Sequence, residues 1–240
     1  MSARSTAATA TRAPASAPRR ARAARSHGRG AAGRSGREEI LSAAAHAIAR
    51  HGYHGMSMRE LARATGKALA SSYSHFRSKD EILFALQSSA FEELDQSALR
   101  ALAAVAGAPA DAATRLYAFI ENHIAFCARE PDVMHVLVQE AAALPRPQRA
   151  QVRALKERYF ARARELVAAV ARLDDDELER ATYSLFGMLN WTFGWYEPRK
   201  HGPASVLART IHRLTLGGLP GLTPKHRAQS GGSAKHGGSA

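Results

Sequence analysis

The stretch from Ser57 to Lys79, Ser-Met-Arg-Glu-Leu-Ala-Arg-Ala-Thr-Gly-Lys-Ala-Leu-Ala-Ser-Ser-Tyr-Ser-His-Phe-Arg-Ser-Lys, constrains this chain more than any other. Ser57 stands three residues before Glu60, the spacing of a capping box, in which a hydroxyl accepts from the later amide while the carboxylate reaches back. The helix it opens is short, because Gly66 closes it. Ser78-Lys79-Asp80-Glu81 repeats the device for a longer helix, which leaves Ala68 to His75 for one intervening short helix. Two short helices joined by a glycine turn suit the major groove of DNA.

Gly66, Ser71, Tyr73, His75, Phe76, Ser78 and Lys79, preceded by Ile40-Leu41 with Ala44 and by Gly52-Tyr53, form a set at fixed offsets that resembles the TetR family of bacterial transcriptional regulators. The resemblance covers residues 37 to 84. It departs from the family pattern at Lys67 and Ser72, where the family usually has a valine and an apolar residue that pack the recognition helix, and Leu69 is expected to supply the missing anchor. The resemblance implies an all-α chain: an N-terminal three-helix helix-turn-helix domain and a larger helical ligand-binding and dimerisation domain.

Side-chain chemistry assigns roles within the motif. Ser57, Tyr73, His75 and Lys79 donate hydrogen bonds or charge, and in the resemblance their positions hold the phosphates of the operator. Base reading falls to Arg59 and to Lys67, Ala68, Leu69, Ala70 and Ser71, since arginine and lysine favour guanine and small residues allow close approach. For Tyr73 and His75 the competing reading is packing within a small helical domain.

Before the motif, Ile40, Leu41, Ala44, Ala47 and Ile48 recur at helical spacing from Arg37 to about His51, where Gly52 ends the helix. After it, a long helix is expected from Ser78 to about Ala104, another from the Asp111 cap to Pro131, and a short one over residues 132 to 143. Further helices are expected over about 147 to 171, from the acidic cluster Asp174 to Glu177 onward, and over about 203 to 217. The aromatic run Tyr183 to Pro198 holds both tryptophans. Tyr183, Gly187, Asn190 and Gly194 at helical steps suggest a face for close approach of another helix, hence a homodimer seam. An effector cavity is the second use, lined by Phe119, Asn122, His123, Phe126, Met134, Tyr159, Phe186, Asn190, Trp191 and Trp195, and a plain buried helix is the third. Leu189 to Tyr196 also resembles a TetR subgroup that regulates breakdown of fatty, steroid or aromatic acids, several members of which respond to acyl-CoA. That resemblance implies an acyl-CoA or aromatic acid derivative as effector. Arg146, Arg149, Arg153 and Lys156 share a helix face and either meet CoA phosphates or form a solvated basic stripe.

The formal net charge of +13 is concentrated at the ends: nine of the 34 basic residues lie in residues 1 to 37 and three after 221, while all 21 acidic residues lie between. Basic arms of this kind add sequence-independent attraction to phosphates. Residues 1 to 36 and 222 to 240, poor in large apolar residues, are expected to be disordered tails around a head at 37 to 84 and a body at 85 to 221. The single cysteine, Cys127, rules out an internal disulfide and reads as a small core residue. With no apolar run of membrane-spanning length and no secretory signal pattern, the expected place is the cytoplasm, at the nucleoid, without membrane contact. No catalytic set, metal-ligand spacing or cofactor motif stands out among the eleven histidines. Two rival classes are a tail-driven, non-specific nucleic-acid binder and a helical enzyme with an aromatic pocket.

Overall fold

A computed structural model describes residues 36–66, 68, 73–107 and 111–218. Every regular element among the described residues is a helix. The expected tails therefore lie almost wholly outside the described residues, as do Lys67, Leu69, Ala70, Ser71 and Ser72.

Helix α1, Gly36–Gly55, buries Ile40, Leu41, Ala44, Ala45 and Ile48 and carries Glu38 and Glu39 in its first turn. Its regular course stops at Gly52, whose φ of 71° and ψ of 164° favour glycine, and a last turn carries Tyr53 into the core. Helix α2, Met58–Thr65, has the full capping box: Ser57 Oγ accepts from the Glu60 amide and the Glu60 side chain accepts from the Ser57 amide. Gly66, at φ 66°, closes it in the left-handed region and donates back to the last turn. Residues 73–75 are helical and Phe76 behind them is buried.

Helix α3, Lys79–Val105, is the longest. Ser78 caps it by accepting from the Glu81 amide, but the Glu81 carboxylate takes its return bond from the Arg77 amide, one residue earlier than a capping box requires. Helix α4, Ala112–Arg129, is capped by Asp111, and α5, Pro131–Gln139, begins on a proline. The expected run of α5 to residue 143 stops four residues early. Glu140 leaves the helix because it is held from two sides: its carbonyl accepts from Gln87 Nε2 on α3, and its carboxylate accepts from the Tyr53 amide at the break in α1. Helices α6, Arg146–Val170, and α7, Asp175–Asn190, follow, the latter capped by Asp174. Asp175 and Glu177 pair with Arg164 and Arg180. A 3-10 turn, Trp191–Gly194, then α8, Pro198–His201, and α9, Ala204–Gly218, complete the order. The aromatic run is thus not one helix, and Gly194 does not share a helical face with Tyr183, Gly187 and Asn190. Thr192 draws the chain into the tighter turn, with its hydroxyl donating to the Leu189 carbonyl.

In the body, α4 packs between α3 and α9 and also meets α6 and α7, so it forms the centre of the helical layer. Its Leu116, Phe119, Ile120, Ile124 and Phe126 are almost wholly buried. Burying such side chains supplies most of the stabilisation of a helical array. Between α3 and α6, Asp95 is 3% exposed and receives Arg158 Nε at 3.0 Å and Arg162 Nε at 2.9 Å. Both arginines keep contact with solvent, so they rehydrate when the carboxylate is removed. Asp95→Asn is expected to cost about 1–2 kcal/mol, measured by urea unfolding, and an unchanged midpoint would show that the pair contributes nothing net.

Candidate functional site

Two regions collect the side chains that sequence reasoning singled out. In the head, Arg59, Ala68, Tyr73 and His75 are exposed, with 47% of Tyr73 open to solvent. Ser57 is exposed as well, yet its hydroxyl proton is engaged by Glu60 Oε2 at 3.0 Å, so in this structure it serves as a cap. The Lys79 ammonium lies 4.7 Å from the centre of the Tyr53 ring. The Tyr53 hydroxyl donates to Asp80, and burial together with that carboxylate pushes its pKa well above the ordinary tyrosine range. Arg37 covers the Phe76 ring at 5.0 Å. Head residues from α1 and the start of α3 are thereby held together by ring, ion and hydrogen-bond contacts.

In the body, a cavity of about 150 Å³ is lined by residues of α3, α4, α5, α6 and α7. Phe91, Leu94, Met134, Leu137, Val138, Phe160 and Phe186 make it apolar, and His123, Tyr159, Asn190, Tyr183 and Lys156 supply its polar groups. His123 is buried, and Nδ1 lies 3.1 Å from the Tyr159 hydroxyl. Its Nε2 has no hydrogen-bond partner among the described residues. Burial drops the His123 pKa from 6.5 to about 4, so the imidazole is neutral at physiological pH. Burial likewise raises Tyr159 far above its ordinary value and Cys127 to about 11, so neither ionises there.

Of the ligand candidates, His123, Met134, Tyr159, Phe186 and Asn190 line this one cavity. Phe119 stands behind it, its ring 5.0 Å from that of Tyr159. Phe126 is buried elsewhere with Arg129 over its ring, and Asn122 has a buried amide nitrogen outside the lining. Trp191 and Trp195 are not part of the lining; they are 61% and 45% exposed, because the 3-10 turn swings both indoles outward. Sequence reasoning missed Phe91, Leu94, Leu137, Val138, Phe160 and Tyr183 as cavity residues, since helical periodicity marks a core face without telling which members border a void. It also missed Glu140, a single acid with no pattern around it.

Two helices that line the cavity also reach the head, α3 by starting in it and α5 by contacting it. Helix α3 starts at Lys79 in the head and reaches Phe91 at the cavity ~18 Å further on. Helix α5 presents Met134, Leu137 and Val138 to the cavity, while Glu140 beyond its end holds Tyr53, and Asp132 near its start meets His46 of α1 at 2.9 Å.

Residues 40–86 match the family described as bacterial regulatory proteins, tetR family, and residues 109–219 match the tetracyclin repressor-like C-terminal domain. The solved structure of PfmR, a TetR-family regulator from Thermus thermophilus, is 30% identical with a TM-score of 0.65, covering 75% of this chain and 98% of that one. The chain belongs to the TetR family of bacterial regulatory proteins. A TetR-family regulator from Bordetella parapertussis superposes on this TetR-family chain with a TM-score of 0.71 at 25% identity, covering 78% and 97% of the two chains. The transcriptional repressor AcnR of Corynebacterium efficiens is 42% identical over 50 residues, or 21% of this chain. The chain spans 27% of the length of the curated relatives it matches. Among the described residues no helix is long and apolar enough to cross a membrane, and no three His, Cys, Asp or Glu side chains converge to hold a metal.

Proposed function

We propose that this TetR-family regulator is a repressor that binds a palindromic DNA operator as a homodimer and releases it when a small molecule enters the body cavity. One observation carries the reading: a mostly apolar cavity is built on the same two helices, α3 and α5, that hold the head. An effector that fits the cavity better in the DNA-incompetent arrangement shifts the population toward it, whereas equal affinity for both would shift nothing. Displacing α3 or α5 moves the two heads of the dimer relative to each other, and half-sites one turn apart tolerate little such change.

The head at 37–84 is assigned the DNA and the body at 85–221 the effector and the dimer seam. Phosphate contacts go to Tyr73, His75, Lys79 and Ser57, the last by exchange of its Glu60 bond. Base reading goes to Arg59 and residues 67 to 71. The dimer reading is supported by the apolar surface: of seven large apolar side chains left exposed among the described residues, Tyr183, Trp191, Trp195, Val206 and Leu214 come from α7, α9 and the segment between them. For the effector, an acyl-CoA or aromatic acid derivative is supported by Lys156, which belongs both to the cavity lining and to the basic stripe of Arg146, Arg149 and Arg153. Arg153 already shares its charge with Glu157 at 2.6 Å, leaving Arg146, Arg149 and Lys156 for phosphates. The place of action is the bacterial cytoplasm, at the nucleoid.

Tyr73→Ala with His75→Ala is expected to weaken binding to operator and unrelated duplex alike, by roughly tenfold, in fluorescence anisotropy. Full affinity would sink their phosphate role. Deleting residues 1 to 36 separates this reading from a tail-driven binder. The repressor keeps its preference for the operator and loses only sequence-independent affinity, whereas a tail-driven binder loses most of its affinity and never had a preference.

A further inference from the structure

We infer that the cavity takes an acyl group no larger than a single aromatic ring or a short branched chain, and that the carbonyl oxygen of this group accepts a hydrogen bond from His123 Nε2. The inference rests on the effector reading above and narrows it: the cavity encloses ring-sized acids or the acyl end of their thioesters and is too small to enclose a steroid or a long chain.

The size of the cavity limits what it encloses. At about 150 Å³, the space matches the engineered apolar cavities of ~150 Å³ that hold one benzene molecule. A fused four-ring acid or a long chain requires several times that space. Phe91, Leu94, Phe160 and Phe186 around it give a flat or branched apolar group extensive contact.

The position of the proton on His123 sets its polarity. Two arrangements satisfy the 3.1 Å contact between Nδ1 and the Tyr159 hydroxyl. If Nδ1 carries the hydrogen and donates, the buried tyrosine proton is left without an acceptor, and the lone pair on Nε2 is left without a donor. If the tyrosine donates to Nδ1, the hydrogen sits on Nε2 and is the only group unsatisfied. The second arrangement leaves one orphan instead of two, so Tyr159 sets the tautomer and Nε2 is a hydrogen-bond donor. His123 lines the cavity but Nε2 itself is closed off from solvent, so an occupant that shifts the side chains over it and offers an oxygen acceptor on an otherwise apolar body gains a hydrogen bond that this buried donor lacks. Lys156, exposed at the mouth, then faces the negative end of a free carboxylate or the phosphates of a CoA thioester.

Isothermal titration calorimetry on the full chain tests this with benzoate, benzoyl-CoA, 3-methylbutanoyl-CoA, palmitoyl-CoA and cholate. The expected result is binding of at least one of the first three, no binding of the last two, and a roughly ten- to hundredfold loss in His123→Leu. Benzoate and its thioester distinguish the free acid from the CoA form. His123→Gln, which keeps an amide donor, is expected to recover most of the loss. Should His123→Leu fail to fold, Phe186→Ala serves instead, by enlarging the cavity so that a longer acyl chain binds. Failure of all three small probes, binding confined to palmitoyl-CoA or cholate, or small-probe affinity unchanged in His123→Leu, or in its stead no gain for longer chains in Phe186→Ala, overturns the inference. Release of a DNA duplex is scored separately. A small probe that binds without releasing DNA upholds the cavity assignment and defeats the regulatory reading, and release by a large acid alone does the reverse.

Discussion

A Phe76→Ala chain is expected to lose about 3–5 kcal/mol of stability and, with it, binding to any operator. Phe76 is 1% exposed and occupies the joint between the helical residues 73–75 and the Ser78 cap of α3. Its ring packs in the core on one side and lies under the Arg37 guanidinium on the other. Removing it leaves a void at the point that seats Tyr73 and His75 against the long helix, and the surrounding helices close such a void only in part. The loss corresponds to a fall in Tm of roughly 10 °C for a chain of this size, read by circular dichroism. Phe76→Leu, which refills most of the volume, is expected to recover most of the loss. A Tm within about a degree of the unaltered chain, with operator binding intact, would show that Phe76 does not seat the head.

The second large effect is on acid stability. His123 is buried as a neutral imidazole with its pKa depressed from 6.5 to about 4, by burial alone, and its only described hydrogen-bond partner is the Tyr159 hydroxyl. The unfolded chain therefore takes up a proton between pH 6.5 and about 4 that the folded chain resists. His123 imposes no such loss above pH 6.5; as pH falls through this window, stability drops by about 2 kcal/mol at pH 5 and roughly 3 kcal/mol near pH 4. Denaturant unfolding at pH 7 and pH 5 measures it, in a range above most carboxylate titration. His123→Leu is expected to flatten the difference between the two pH values. An equal slope in the variant would mean that the imidazole is protonated or hydrated in the folded chain, and the tautomer argument for the cavity would fail with it.

Where local chemistry decides the structure, the sequence was easy to read. Ser57 with Glu60, Gly66, Ser78, Asp111 and Asp174 each place a helix boundary through a bond made within four residues, and the structure has every one. Helical spacing likewise announced the buried faces of α1, α3 and α4. The misreadings come from longer range. Glu140 ends α5 early because its partners, Tyr53 and Gln87, are 87 and 53 residues away. Trp191 and Trp195 looked like cavity aromatics by composition, but the 3-10 turn after Asn190 points them to solvent. His123 and Tyr159 face each other across 36 residues, a pairing no local pattern encodes. Individual cavity residues were thus partly legible as polar or aromatic members of apolar faces, while the void itself belongs to the packing of five helices.

Selection of bound duplexes from a random pool by the full chain at physiological salt tests whether the head reads DNA sequence. The expected result is enrichment of one palindrome with half-sites about one helical turn apart, retained when residues 1 to 36 are removed. A pool that stays random after repeated rounds, with affinity that disappears along with the tail, would contradict it and leave a non-specific, tail-driven binder.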